Sequence, residues 1–238
     1  MTRRRFIADT STPTTASLLG DQAAHLARVL RATPGQVYDI VANGFLHRAE
    51  ITSVSENEVL FTLHEELETD AALPLHLILA IFKFDHMEWA IEKATELGIA
   101  KITPVLARRT EKHLAQSALK RSERWRRIAL EASKQSRRTT IPEISNPTAL
   151  QQTLEQEATT PTRILLSETE QTTSLTAALT AAQSSDTAIA IGPEGGWTPD
   201  EMFLFTQHTW QAVTLGSRIL RAETAAIAAI AIASTHLS

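Results

Sequence analysis

The stretch Ile189-Ala-Ile-Gly192-Pro-Glu-Gly-Gly-Trp-Thr-Pro199 decides the architecture of the larger part of this chain. An uncharged apolar run passes through three glycines into Thr198-Pro199-Asp200-Glu201. There Thr is placed to cap a helix, Pro takes the first helical position, and two acids face the positive end of the helix dipole. A short, wholly apolar strand leading directly into a helix belongs to a parallel sheet covered on both faces. Ligands bind such sheets beyond the carboxyl ends of the strands, so the glycine loop marks where a site belongs. The spacing fits neither Gly-x-Gly-x-x-Gly nor the P-loop, which argues against dinucleotides and nucleoside triphosphates. Taken alone, Gly-x-x-Gly-Gly is equally a plain strand-to-helix turn.

The same style extends outward in both directions. Candidate strands cover 77–82, 102–106, 163–166, 188–191 and 212–215. Met87, Ala90, Ile91, Ala94 and Leu97 recur at helical spacing up to Gly98, with Asp85 and Glu88 read as a start resembling a capping box. A second strand exit, Val213-Thr-Leu-Gly216-Ser-Arg-Ile-Leu-Arg221, leads into Ala222-Glu-Thr-Ala-Ala and a nearly all-apolar helix. A helix apolar around its circumference is buried in a core or against a partner. Arg218, Arg221, Glu223 and Thr224 therefore crowd its mouth, where an Arg221–Glu223 ion pair is the simple structural reading.

The first seventy or so residues read differently. Runs at 36–42, 45–51 and 58–63 have strand character, and Asn43-Gly44 between the first two is a strong hairpin signal. Residues 25–31 form a short amphipathic helix closed by Pro34-Gly35, and the acidic run 65–70 before Pro74 reads as a linker. The expected organisation is α/β: a small β-rich domain over residues 1–72, then a parallel-sheet domain over 73–238.

The formal charge of −4 over 238 residues argues against a uniformly basic nucleic-acid binder, but the average conceals a segregation. About half of the 23 basic residues fall between Lys101 and Arg138, while from Ile141 to Ser217 acids dominate. In Arg124-Trp125-Arg126-Arg127, Trp125 and Ile128 should turn inward. The bases are then a solvated face or a phosphate-contacting surface. The absence of cysteine removes disulfides, thiolate metal sites and a cysteine nucleophile. No histidine spacing suggests a metal, and His25, His86 and His113 read as surface or capping residues. The basic start has no apolar stretch behind it, and the longest apolar run, 225–233, is far short of the roughly 20 residues that span a bilayer. A cytoplasmic protein without a membrane partner is expected.

Gly192-Pro-Glu-Gly-Gly196 followed by Leu215-Gly-Ser-Arg-Ile-Leu-Arg-Ala-Glu-Thr-Ala225 closely resembles the SPOUT methyltransferases. Among them it is most similar to the RsmE type, which methylates N3 of a uridine in small-subunit ribosomal RNA. His25-Leu-Ala-Arg-Val-Leu-Arg31, Met87-Glu-Trp-Ala-Ile-Glu-Lys-Ala-Thr-Glu-Leu-Gly98, Ile102-Thr-Pro104 and Lys134-Gln-Ser-Arg-Arg138 follow in family order. Lys134, Phe84 and Ser217 stand where glutamate, glycine and proline are common.

The resemblance implies a PUA-like β-barrel, a SPOUT domain with a trefoil knot, a homodimer, and S-adenosyl-L-methionine as cofactor. It places the cofactor against Leu166, Ser167 and Glu168, against Ile191, Gly192, Pro193, Glu194, Gly195 and Gly196, and against Leu215, Gly216, Ile219, Leu220, Arg221, Glu223 and Thr224. The RNA, expected within an assembled small subunit, would meet Arg3, Arg4, Arg5, Arg28, Arg31, Arg109, Arg124, Arg126, Arg127, Arg137 and Arg138. Arg221, and secondarily Arg138, are the expected catalytic groups. Two alternatives stay open: a SPOUT ribose 2′-O-methyltransferase, and a non-catalytic ribosome-associated RNA-binding factor.

Overall fold

The computed structural model describes residues 5–67, 71–136 and 138–237, so the expected RNA contacts Arg3, Arg4 and Arg137 lie outside the described residues. The chain divides into two compact units, Met1–Ala71 with Ser133–Thr140, and Ala72–Ala132 with Ile141–Ser238.

The first unit holds β1 (Arg5–Ile7), β2 (Thr10–Ser11), β3 (Thr15–Leu19), β4 (Val37–Ala42), β5 (Phe45–Val54) and β6 (Glu58–Leu67), in sheet order β1-β4-β5-β6-β3-β2. Asn43 and Gly44 both take positive φ, +53° and +84°, and close the β4–β5 hairpin as their sequence requires. Leu18, Ile40, Ile51 and Phe61 form its core. The expected helix begins earlier than its apolar pattern, as α1 (Gly20–Ala24), and continues as a π-helical turn, His25–Val29. The acidic run is not all linker. β6 continues through Leu67, paired Leu46 to Leu67 and His47 to Glu66, while Arg48 holds Glu65 at 2.7 Å. Cross-strand pairing outweighs the run's polar composition.

The second unit contains β7 (Leu73–Ala80), α2 (Phe84–Glu96), β8 (Ile99–Leu106), α3 (Lys112–Gln135), β9 (Glu143–Ile144), β10 (Thr148–Ala149), α4 (Leu150–Gln156), β11 (Thr162–Leu166), α5 (Leu175–Ala181), β12 (Thr187–Ile191), α6 (Pro199–Gln207), β13 (Gln211–Val213) and α7 (Ala222–Leu237). Its strands pair in parallel in the order β10-β8-β7-β12-β11-β13, with β9 also on β8. Alternation splits the strands between two cores. Leu77, Leu79, Ile189 and Ile191 join the cluster that includes α2 and α7, whereas Ile78, Ala80, Ala188 and Ala190 face Trp197, Phe205 and Trp210. The small alanines leave room for those three rings, stacked edge-on at 4.9 and 5.4 Å between centroids.

Two helix starts illustrate how capping reads. Thr198 accepts from the Glu201 N–H while the Glu201 carboxylate accepts from the Thr198 N–H, a complete capping box with Pro199 behind the cap. At α2 the expectation fails. The cap position is Lys83 and its side chain makes no capping bond, so Asp85 falls inside the first turn. Glu88 instead takes Arg124 at 2.7 Å and Arg121 at 3.4 Å. Trp125 is fully buried, edge-on to Phe84.

Candidate functional site

The carboxyl ends of β11, β12 and β13 release three loops on one side of the sheet: 167–174, 192–198 and 214–221. Each has its own internal tie. In the first, the Glu170 carboxylate accepts from the Thr172 hydroxyl and from the Thr173 and Thr172 N–H groups, which hold its carboxyl down at about 2. The third turns at Gly216, whose φ of +114° few side chains tolerate, and its N–H donates back to Thr214 Oγ1 at 3.1 Å.

The second loop is tied most heavily. Arg109, in the loop after β8, donates from Nη1 to the Gly195 carbonyl at 2.5 Å and to the Trp197 carbonyl at 3.4 Å. The neighbouring Arg108 N–H donates to Glu201 Oε1 at 2.7 Å. Glu201 is buried, and Oε2 accepts from both the Thr198 N–H and hydroxyl at 2.8 Å. Three donors make burial of that carboxylate tolerable. A Cβ on Gly192 would sit 3.1 Å from Trp197 Nε1, so the loop lies directly on the indole.

Between these loops and the starts of α2 and α7 is a cavity of about 580 Å³. Leu166, Ser167, Glu168, Ile191, Gly192, Pro193, Glu194, Gly196, Leu215, Gly216, Ile219, Leu220 and Arg221 line it. Of the remaining residues expected around a cofactor, Gly195 packs outward on the Arg109 stem, Thr224 is exposed, and Glu223 is buried behind the wall. The lining also includes Lys83, His86, Thr169, Trp197 and Met202, which the sequence did not assign to it, and Arg218 from the stretch that it did.

Two polar expectations are corrected. Arg221 does not pair with Glu223: it is exposed at the cavity, and Glu223 faces His86 Nδ1, 3.5 Å away. His86 is accordingly a wall residue, not a surface or capping one. Its ring is also 3.8 Å from Glu194 and 3.9 Å from Asp85. Arg109 serves the glycine loop. Apart from Asp85, next in the chain to His86, these partners lie far along the sequence, so nothing local could have signalled them.

Arg138 does not line the cavity and belongs to the other unit, where burial brings its guanidinium down to about 10. Among the other expected RNA contacts, Arg5 lies in β1, Arg31 is exposed at φ +50°, and Arg28 pairs with Glu56 on the surface. On α3, Arg124 takes Glu88, and Arg126 takes Glu123, the Ile144 carbonyl and Asn146 Oδ1. Arg127 is exposed, with no ion-pair partner among the described residues.

Comparison with known proteins points to one family. Residues 69–234 match the model of the RNA methyltransferase domain family. The chain is 34% identical to Ribosomal RNA small subunit methyltransferase E of Synechocystis sp., over 91% of this chain and 72% of that protein. The Bacillus subtilis protein of the same name is 32% identical, over 91% and 88%. Among solved structures, Ribosomal RNA small subunit methyltransferase E from Neisseria gonorrhoeae, bound to S-adenosyl methionine, superposes with a TM-score of 0.83 at 30% identity, covering 98% of each chain. A putative methyltransferase from Legionella pneumophila, in complex with the same cofactor, gives 0.80 at 29%, covering 99% and 98%.

Proposed function

The chain belongs to the RNA methyltransferase domain family, and on that premise we propose that it transfers a methyl group from S-adenosylmethionine to N3 of a uridine in small-subunit ribosomal RNA. The observation that carries this reading is the cavity where the two glycine loops meet. Its volume is within the range of about 300–1,000 Å³ usual for small-molecule sites. Leu166, Ile191, Leu215 and Leu220 supply apolar wall, and Gly192 brings bare backbone up to the space. Among the described residues, the buried atoms His86 Nδ1 and Trp197 Nε1 of the lining have no hydrogen-bond partner, as expected where a polar ligand completes a site. The residues fit the cofactor.

Bound there, S-adenosylmethionine supplies an electrophilic methyl group on a sulfonium sulfur. The protein's tasks are to align N3 with that methyl, to exclude bulk water, to accept or relay the imide proton, and to stabilise the negative charge that spreads onto O2 and O4 once that proton leaves. Arg221, with Arg218 and Lys83 on the same cavity, provides positive charge for the last task. Without cysteine there is no thiolate route to a covalent pyrimidine adduct, so displacement is direct.

The same reading carries a PUA-like barrel in the first unit, a knotted path in the second, an assembled small subunit as substrate and a cytoplasmic site of action. None of the described helices is long and apolar enough to cross a membrane. It also carries a homodimer through α2 and α7: Trp89 is 47% exposed, and Ile227 and Ile232 are only partly covered. Nucleoside mass spectrometry of ribosomal RNA, with and without the gene, tests the function. Loss of 3-methyluridine is expected; loss of a 2′-O-methylated nucleoside instead would overturn the N3 assignment.

A further inference from the structure

We propose that Ile219, on the cavity lining between Arg218 and Arg221, is an apolar wedge that fills the place of the target uridine in the RNA stack when that base enters the site. The proposal rests on the reading of the cavity as the site of uridine methylation, and deepens it by naming the side chain that holds the substrate open.

Ile219 lines the cavity and is nonetheless 86% exposed. No other large apolar side chain among the described residues is as open, and Val29 follows at 66%. Single exposed apolar residues are ordinary on protein surfaces. Position sets this one apart, since Trp89, Leu119, Phe203 and the other exposed large apolar side chains are not part of the lining. Leu215 and Leu220 of the same loop are partly covered, so apolar wall for a cofactor comes from the neighbours of Ile219.

The loop is anchored at its ends and free at its tip. The Gly216 N–H donates to Thr214 Oγ1, and the Arg221 carbonyl accepts from the Ala225 N–H at 2.8 Å. Between these ties, Ser217, Arg218, Ile219 and Leu220 make no hydrogen bond among the described residues. A tip without internal bonds adjusts to the surface it meets, while its ends keep it at the cavity.

The chemistry asks for such a group. N3 of uracil lies on the edge that pairs with another base, so a methyl donor held in a cavity reaches it only once the base has left its stack. Extrusion leaves a gap between the neighbouring bases, and apolar side chains, isoleucine among them, fill such gaps by inserting between base steps. The inserting group has to stand at the mouth of the cavity, be apolar, and have cations beside it for the nucleotide's charge. Arg218 is exposed and available to a flanking phosphate, and Arg221 to the base itself. Branching at Cβ leaves Ile219 few rotamers to lose on insertion. A second copy of this chain is the competing occupant of the tip, but exposed arginines on both sides complement a polyanion.

The test uses the full chain, S-adenosylmethionine and small ribosomal subunits from cells lacking the gene. Ile219→Ala should lower kcat/KM for subunits by roughly tenfold. Its melting temperature should be unchanged and its Kd for S-adenosylhomocysteine within about twofold of wild type, as for an exposed side chain outside the core. Ile219→Leu should recover most of the rate and Ile219→Asp none. A photoreactive benzophenone side chain in place of Ile219 should crosslink to RNA beside the methylated uridine. A loss of S-adenosylhomocysteine affinity that matches the loss of kcat/KM overturns the wedge and makes Ile219 a cofactor contact. A crosslink to a second copy of the chain instead of RNA also overturns it. Wild type active beside an equally active Ile219→Ala overturns the wedge alone, whereas wild type inactive on subunits overturns the functional reading and the wedge with it.

Discussion

The Arg109 guanidinium stands over the glycine loop, its Nη1 2.5 Å from the Gly195 carbonyl and its Cδ 3.3 Å from where a Cβ on that glycine would be. An arginine in a basic stretch thus contributes to loop geometry through both its head and its stem. Arg109→Ala should weaken S-adenosylhomocysteine binding by about tenfold, the equivalent of one charged hydrogen bond, while affinity for small-subunit RNA changes less. Calorimetry and an RNA-binding assay on the same variant check it. Loss of RNA affinity with normal cofactor binding would return Arg109 to the RNA surface.

The two glycine loops should fail in different ways. An added Cβ at Gly192 meets Trp197 at 3.1 Å, so Gly192→Val should displace the indole from its stack with Phe205 and cost about 1–3 kcal/mol of stability as well as cofactor binding. Gly216 has open space around it but a φ of +114°. Gly216→Val should therefore strain a surface loop, lowering cofactor affinity with a smaller drop in melting temperature. Equal melting shifts in the two variants would contradict this distinction.

On another part of the sheet, His76 bridges Glu157 at 2.7 Å through Nδ1 and Thr103 at 2.9 Å through Nε2. Burial pushes the Glu157 carboxyl up, but hydrogen bonds from His76 and Thr160, with the charges of His76 and Lys101, outweigh it and leave the group below its usual range. A carboxyl depressed in the folded state contributes stability that is complete above its unfolded value of about 4.3 and is lost as pH falls through the folded one. Denaturant midpoints should accordingly decline below about pH 5. Glu157→Gln should flatten that decline. Removing one partner leaves the other buried without its hydrogen bond, a cost of about 1–3 kcal/mol.

The basic face of α3 is less free than its composition suggests, because Arg124 and Arg126 already hold acids. Arg127 has no such partner among the described residues. Arg127→Glu should weaken binding to small-subunit RNA with little change in stability, and reduce the salt slope by about 0.7 for each phosphate left without its cation. Arg124→Glu should instead lower stability by setting a like charge beside Glu88. An RNA affinity indifferent to Arg127→Glu would leave this face as solvated surface.

What could be read from the sequence was what is local. Apolar runs, the turn at Asn43-Gly44, the Thr198 cap and both glycine loops announce themselves within a few residues. Misreadings arose where a distant partner decides. β6 extends through acids because β5 lies beside it, and α2 begins at Phe84, behind Lys83 at the cap, without help from Asp85. His86 and Arg109 owe their places to Glu223 and Gly195, brought near by the order of strands in the sheet. Arg221 and Glu223, adjacent enough to suggest a pair, point to different surroundings because one precedes α7 and the other is buried in its first turn.

Arg221 offers the sharpest test of the chemistry. It is exposed at the cavity, is not paired with Glu223, and comes from the same loop that supplies Leu215 and Leu220 to the wall. If its cation stabilises charge that develops only as N3 is methylated, its removal should depress turnover much more than binding. Deleting one such electrostatic interaction typically costs about 10²–10³ in kcat. Arg221→Ala should show a fall of that order, with the S-adenosylhomocysteine Kd changed by less than about tenfold. Arg221→Lys should recover part of the rate because it restores a charge without the planar fork. Near-normal kcat in Arg221→Ala would remove the catalytic assignment, and a loss confined to cofactor affinity would make Arg221 a binding residue only.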